Sequence, residues 1–435
     1  MVNLEFATLP DIQHITGDLQ ASRHLYIHIP FCQRRCSYCD FNTYANMTDR
    51  IEAYVDALCA ELEARRASLE TPARPDSPSI EIQTPALMPL VPPITRSDLI
   101  PTIFLGGGTP TMLPVEQMER VLEAATTIIP LDIAEVTVEA NPGTVLGRDY
   151  LRALRTLGVN RISMGVQSLH DPTLRILGRI HTAAEARASY EDARRAGFER
   201  INLDFIFGLP GQTLEQWDAT LREIVTWDVD HFSLYSLILE AGTPLHAQVL
   251  GGRVTVPDDD VTGDMYELAM ERFAAAGYIQ YEISNWAKAD LPAALDPRYV
   301  VPSQACHHNL AYWLNADYLA CGAGAHGHVF PRRYYDVLGI DDYIRQVQQD
   351  VLPVAEVIEL DTHDLYSETM FMGLRLNVGV SYAHFRDRCG VELDEVYGSV
   401  LDELVSLDLL KRDKIGVRLT DRGRMLGNQV FARFV

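Results

Sequence analysis

Residues 26–41 read Tyr26-Ile-His28-Ile-Pro-Phe-Cys32-Gln-Arg-Arg-Cys36-Ser-Tyr38-Cys39-Asp-Phe41. The segment opens in an apolar, β-rich run, HLYIHI over 24–29, which predicts a strand. A loop follows at once with cysteines spaced C-x3-C-x2-C. Three thiolates within eight residues can converge on one cluster, but they cannot supply the four ligands that iron–sulfur clusters ordinarily take from protein. A [4Fe–4S] cluster on Cys32, Cys36 and Cys39 therefore keeps one iron open to chelate a small molecule. Zinc is the competing reading, because Cys3His sites exist and His28 is near. His28, however, sits between Ile27 and Ile29 on the strand and is expected to face the interior. A simple electron-transfer ferredoxin is disfavoured, since its loops supply a fourth cysteine.

Outward from this loop, strand-like and helix-like stretches alternate as far as about residue 236. TIFLG (102–106), AEVTVEA (134–140), RISMGV (161–166), RINLDFIF (200–207) and HFSLYSL (231–237) read as short apolar strands. Helices are predicted at 49–69, 115–128, 148–157, 182–196 and 213–226. Thr213 and Gln216 fit a capping box at the start of the last. Six strands with intervening helices call for a parallel sheet, and that number suits an open or partial (β/α)6 barrel. Residues 70–100 are dense in proline and are expected to form an inserted surface loop.

The pattern changes after 240. A helix is expected at 259–276, then YEIS (281–284) and YLACGAGAH (318–326). Helices at 341–350, 362–374, 381–388 and 393–407, a two-stranded wing over 409–420 and a last helix suggest a winged-helix-like module. The expected organisation is an arm over 1–22, a barrel core over 23–240, an extension over 241–335 and an α-rich winged-helix-like domain over 336–435. Many acids in 362–408 favour a structural or docking role for that domain over DNA binding.

Composition narrows the class. The 435 residues are 47% hydrophobic and carry a net charge of -23, with seven cysteines. So acidic a chain without a basic run is not expected to bind nucleic acid. Seven cysteines do not make a disulfide scaffold. No run of 18 apolar residues and no signal peptide is found, so a cytoplasmic protein is expected. Cys59, Cys321 and Cys389 read as buried thiols.

Polar groups recur where the strands end. Gly106-Gly107-Gly108-Thr109 follows the second strand and lets backbone approach a ligand closely. Glu139 ends the third, Gln167 the fourth with Arg179 beyond it, and Asp204 lies on the fifth. This is the face on which barrel and open-sheet active sites assemble. Gly322-Ala-Gly324-Ala-His-Gly327 has the form G-x-G-x-x-G, but no helix opens on it, so a dinucleotide site is not expected.

With these motifs in place, the chain resembles the radical S-adenosylmethionine (SAM) superfamily. Within it, the chain is similar to the coproporphyrinogen-oxidase-like branch over about 23–330 and in the last hundred residues. The resemblance implies that the open iron binds SAM and that one electron cleaves it to a 5′-deoxyadenosyl radical. It implies cluster ligation by Cys32, Cys36 and Cys39, and SAM contacts at Tyr26, Tyr38, Gly107, Gly108, Thr109, Glu139, Gln167, Arg179 and Asp204. Tyr38 would lie against adenine, Arg179 would fork onto a carboxylate and Asp204 would accept ribose hydroxyls.

Two groups of the branch differ in readable ways. The oxygen-independent coproporphyrinogen III oxidases have a fourth cysteine where this chain has Phe41, and an N-terminal segment with no counterpart in 1–22. The heme chaperones carry H-N-x-x-Y-W, matched by His308-Asn309-Leu-Ala-Tyr312-Trp313. Resemblance to the second group implies heme as cargo, with His308 as the expected iron ligand or porphyrin contact; Cys306 and His307 stay open as alternatives. It further implies delivery to respiratory heme proteins at the membrane, an electron donor for the cluster and peripheral membrane visits, with a homodimer left open. The oxidase activity is the alternative function. Gly327 stands where the heme chaperones have serine.

Overall fold

The computed structural model describes residues 23–69, 89–143, 147–289, 295–296 and 299–435. Six strands lie parallel in chain order: β1 (His24–Ile29), β2 (Thr102–Gly107), β3 (Glu135–Ala140), β4 (Arg161–Gln167), β5 (Arg200–Phe207) and β6 (His231–Ser236). The linking helices are α1 (Ile51–Leu69), α2 (Val115–Thr126), α3 (Gly147–Thr156), α4 (Ala183–Arg195) and α5 (Leu214–Ile224). Parallel strands covered by helices are buried on both faces and read as apolar runs. Accordingly Leu25, Ile27, Ile29, Ile103, Leu105, Val136 and Val138 are all fully buried. The capping box expected before α5 is present: the Thr213 hydroxyl accepts from Gln216 N at 3.2 Å, and Gln216 Oε1 accepts from Thr213 N at 3.2 Å.

Three further strands complete the sheet. β7 (Tyr278–Glu282) and β8 (Asn285–Lys288) form a hairpin whose second strand pairs antiparallel with β6. β9 (Leu319–Cys321) pairs parallel with β1. The order is β9-β1-β2-β3-β4-β5-β6-β8-β7, so the sheet has two edges and the barrel is partial, as expected.

Two expectations change. The arm over 1–22 and residues 70–88 of the insert lie outside the described residues, and 89–100 is a loop anchored to the body of the protein. Leu90 and Val301 exchange two backbone hydrogen bonds at 2.9 Å, and Ile94 and Leu99 are buried. The prolines exclude helix there without excluding burial. The domain boundary at 336 also cuts an antiparallel sheet of β10 (His326–Val329), β11 (Arg332–Asp336) and β12 (Val354–Glu359). After it, α8 (Ile340–Val347), which follows α6 (Asp259–Ala275) and α7 (His307–Trp313) in the chain, packs on α1. The Tyr343 and Tyr54 rings stand 5.0 Å apart there, and Tyr343 OH donates to Glu61 at 2.6 Å. The barrel body therefore runs on to about 359.

A separate core then gathers Met370, Phe385, Leu401, Leu410, Val417 and Phe434. It joins α9 (Thr362–Gly373), α10 (Tyr382–Cys389) and α11 (Leu393–Ser406) to a small sheet. In that sheet β13 (Val380–Ser381) and β14 (Leu410–Arg412) flank β15 (Gly416–Leu419). Helices followed by this wing give the winged-helix-like outline read from the sequence.

Candidate functional site

The cysteine loop is tied down on three sides. Gly108 N and Thr109 N donate to the carbonyls of Ile29 and Phe31 at 2.9 and 2.8 Å, which fastens the end of β2 beneath it. Ser37 N donates to the carbonyl of Leu177 at 2.9 Å, and its hydroxyl donates to that of Ile176 at 2.8 Å. Asn42 Nδ2 donates to the carbonyls of Ala323 and Leu338 at 2.9 and 3.0 Å. Glycine makes the approach possible: a Cβ on Gly107, whose φ is 104°, would stand 2.3 Å from the His28 ring, and one on Gly108 would stand 2.7 Å from the Phe31 carbonyl.

All three thiols are unpaired and part-exposed, and each has a polar neighbour. Cys32 Sγ is 3.8 Å from the Thr109 hydroxyl and Cys39 Sγ is 3.8 Å from that of Thr43. Arg179 Nη1 donates to Cys36 Sγ at 3.3 Å. Burial pushes the Cys32 thiol up to about 11, against the hydrogen bond from Thr109. Half-sheltered thiols with hydroxyl and guanidinium donors around them suit a cluster whose sulfurs need compensation of their negative charge. Arg179 Nε is buried with no partner, a spare donor beside that loop. Among the described residues, no three His, Cys, Asp or Glu side chains gather around the position of a single ion. The donor set fits a three-cysteine cluster.

The polar strand ends meet in the same region. Glu139 accepts from Gly107 N at 3.1 Å, and burial, with Asp204 nearby, pushes its carboxyl up to about 7. Asp204 accepts from Ser163 Oγ at 3.1 Å and Asn202 Nδ2 at 2.8 Å, and burial raises it too. Gln167 sits in the left-handed region (φ 68°) at a register break in β4. A Cβ on Gly165 would lie 2.7 Å from its amide. Such backbone is costly for a non-glycine residue and clusters at binding sites. Arg179 also donates to Asn141 at 2.5 Å and to the Gly165 carbonyl. Tyr38 packs beside Leu177, Leu209 and Leu245.

Two cavities open here. One of about 620 Å³ is lined by Tyr26, His28, Gly107, Glu139, Tyr312 and His326, among others. The other, about 230 Å³, lies among Phe104, Asp204, His231, His308 and Asn309. Tyr26, Glu139 and Tyr312 border both. Of the residues expected from the sequence, Tyr26, Gly107, Glu139, Asp204 and His308 line a cavity. Gly108 and Thr109 support the cysteine loop instead.

His308, on α7 and expected as an iron ligand or porphyrin contact, borders the smaller cavity with both ring nitrogens engaged. It is 1% exposed. Nδ1 bonds Thr102 Oγ1 at 2.7 Å, Nε2 bonds Tyr312 OH at 3.0 Å, and the ring stacks on Phe104 at 5.0 Å. Axial ligation would have to break a hydrogen bond inside the barrel. Cys306, beside Glu135 at 3.4 Å, and His307 are buried as well. The sequence reading missed Asn42, Thr43 and His326 as parts of the site. Proximity to the third cysteine was the only signal for the first two.

The G-x-G-x-x-G stretch has a structural explanation. A Cβ on Gly324 would stand 2.4 Å from Asn42 Nδ2, and one on Gly327 would stand 2.2 Å from the Tyr334 ring. The strand β10, not a helix, follows.

Comparison with known proteins agrees with this arrangement. Residues 26–224 match the radical SAM superfamily model, and residues 360–426 match the HemN C-terminal domain. The second match begins where the separate core begins. The heme chaperone HemW of Bacillus subtilis is 36% identical over 412 residues, 94% of this chain and 98% of that one. The mitochondrial radical S-adenosyl methionine domain-containing protein 1 of Danio rerio is 34% identical over 92% of this chain and 84% of its own. Among solved structures, coproporphyrinogen III oxidase (HemN) of Escherichia coli superposes with a TM-score of 0.77 at 22% identity, covering 99% of this chain and 93% of that one. That likeness shows the fold.

Proposed function

The chain belongs to the HemW family of radical SAM proteins, and from that membership we propose that it is a heme chaperone, binding heme and delivering it to heme-dependent respiratory proteins. The end-to-end match with the Bacillus subtilis heme chaperone carries this reading. Membership of the superfamily brings a [4Fe–4S] cluster and SAM, which supply one-electron chemistry when bound.

The chain's own residues have distinct tasks. Cys32, Cys36 and Cys39 hold the cluster. Arg179 and the hydroxyls of Thr109 and Thr43 offset the charge on its sulfurs. Gly107 keeps the floor free of side chain, and Glu139 meets the cationic amino and sulfonium groups of SAM. Gln167, Asp204, Tyr26 and Tyr38 complete the SAM surroundings, with Asp204 taking hydroxyl donors. Heme is the cargo, and its acceptors stand at the membrane. In this reading the contact there is peripheral, from the cytoplasm; no helix among the described residues is long and apolar enough to cross a membrane. An electron donor reduces the cluster.

The test is anaerobic reconstitution of the full chain, iron and sulfide analysis, titration with hemin, and incubation with SAM, reductant and coproporphyrinogen III. A Soret change that saturates at one equivalent, with no decarboxylated product, is expected. Formation of protoporphyrinogen would assign the oxidase activity instead.

A further inference from the structure

Four histidines line the two cavities, and their ring nitrogens are not equally free. His28 bonds Tyr26 OH at 3.0 Å through Nδ1 and the Asn42 carbonyl at 2.9 Å through Nε2. His231 bonds Asn202 Oδ1 at 2.6 Å and Tyr281 OH at 2.9 Å. His308 is engaged at both nitrogens, as described above. His326 is the exception: it is exposed, and neither nitrogen has a hydrogen-bond partner among the described residues. Iron needs an imidazole lone pair that nothing else uses.

His326 is also held in place. It opens β10 opposite Tyr335 of β11, and the two rings stack 5.1 Å apart at 23°. Tyr335 OH donates to Glu356 at 2.5 Å, which steadies the stack. The turn before it is bound to the cysteine loop through Asn42.

The surroundings of His326 suit a flat, apolar ligand with a carboxylate at its edge, where Arg35 stands on the lining together with Asp40. Phe41 and Leu338 line the same cavity and are 65% and 54% exposed, unusual for large apolar side chains. Tyr318 contributes a wall, and Arg35 puts a cation on the lining, where carboxylates can pair with it. Gly107 and Glu139 border the same cavity. A volume of about 620 Å³ falls within the roughly 300–1,000 Å³ of ordinary small-molecule sites.

Resting on the heme-chaperone reading, we propose that His326 is the axial ligand to the heme iron, with the porphyrin seated against Phe41 and Leu338. SAM and cargo then meet where the two cavities adjoin at Tyr26, Glu139 and Tyr312, and His308 supports that wall through Tyr312 without touching iron. Phe41, standing where the oxidases have their fourth cysteine, gives the porphyrin an apolar contact.

The experiment titrates anaerobically reconstituted full-length protein with ferric hemin and records the Soret band and the EPR spectrum. Wild type, His326→Ala and His308→Gln are compared, with cluster absorbance and circular dichroism as folding controls. His326→Ala is expected to change the Soret maximum and iron spin state and to weaken binding at least about ten-fold. Added imidazole should restore the wild-type spectrum, and His308→Gln should keep it. A His326→Ala spectrum and affinity equal to wild type would overturn the assignment while leaving the chaperone reading standing. Failure of wild type itself to bind hemin would remove that reading and this inference together.

Discussion

Glu139 is an ionisable group that burial holds near neutrality. Its carboxyl rises from an ordinary 4.5 to about 7 because desolvation disfavours its charge and Asp204 adds repulsion. In the ligand-free protein this costs stability as pH climbs from the ordinary value towards 7, since the unfolded chain ionises first. A bound cation reverses the preference and favours the carboxylate. SAM affinity should therefore fall as pH drops through about 7, and calorimetry in buffers of different ionisation enthalpy should detect proton release on binding. Glu139→Gln should flatten this part of the profile, whereas a profile unchanged in the variant would place the titrating group elsewhere. Gly107 makes a steric demand instead. Its φ of 104° and the 2.3 Å approach of a Cβ to His28 mean that Gly107→Ala should cost about 1–3 kcal/mol in urea unfolding. It should also lower the iron retained after reconstitution, because His28 braces Asn42 of the cysteine loop.

At the level of elements, α1 fastens the sheet edge to the cysteine strand. Tyr54 OH donates to the His28 carbonyl at 2.8 Å and accepts from Ala323 N at 2.9 Å, so one hydroxyl bridges β1 and the turn after β9. Two turns on, Glu61 and Asp336 flank Arg65 at 2.7 and 2.9 Å, with all three side chains almost wholly buried. Removing the cation strands two carboxylates, so Arg65→Met should destabilise by about 3–5 kcal/mol in chemical denaturation. The deficit should shrink in mildly acidic buffer, where protonation of Asp336, whose carboxyl burial and the neighbouring Glu61 raise, relieves the stranded charge; an equal deficit at both pH values would contradict this. The six parallel strands were legible beforehand because burial on both faces writes them as apolar runs, and the box at Thr213 and Gln216 is local chemistry. β12 was not legible. Five of its six residues are exposed, so no alternation marks it. The anchoring of 89–100 was not legible because it comes from Val301, far along the chain. The cysteine motif is local and was readable, whereas the engagement of both His308 nitrogens depends on Thr102, distant in sequence, as well as Tyr312.

Across the whole molecule, the C-terminal domain reaches the cavity wall through charge. Glu368 of α9 accepts from Arg333 Nε at 2.8 Å, and Arg333 also holds the hydroxyl of Tyr318, which lines the larger cavity. Arg388 of α10 meets Asp317 at 3.2 Å with both side chains nearly buried, next to the same tyrosine in sequence. A domain so placed can report on occupancy of the cavity, since β11 carries both Arg333 and Tyr335, the ring stacked on His326. Glu368→Gln keeps the shape and removes the charge that anchors Arg333 beside Tyr318. Hydrogen exchange in the variant should quicken over residues 318–335 while the strands β3 to β5 keep wild-type protection. The pair is partly buried, so the stability loss should be modest, about 1–2 kcal/mol. Hemin affinity should fall alongside. If exchange quickened only within 360–435, the domain would be a passive cap with no mechanical hold on the cargo site.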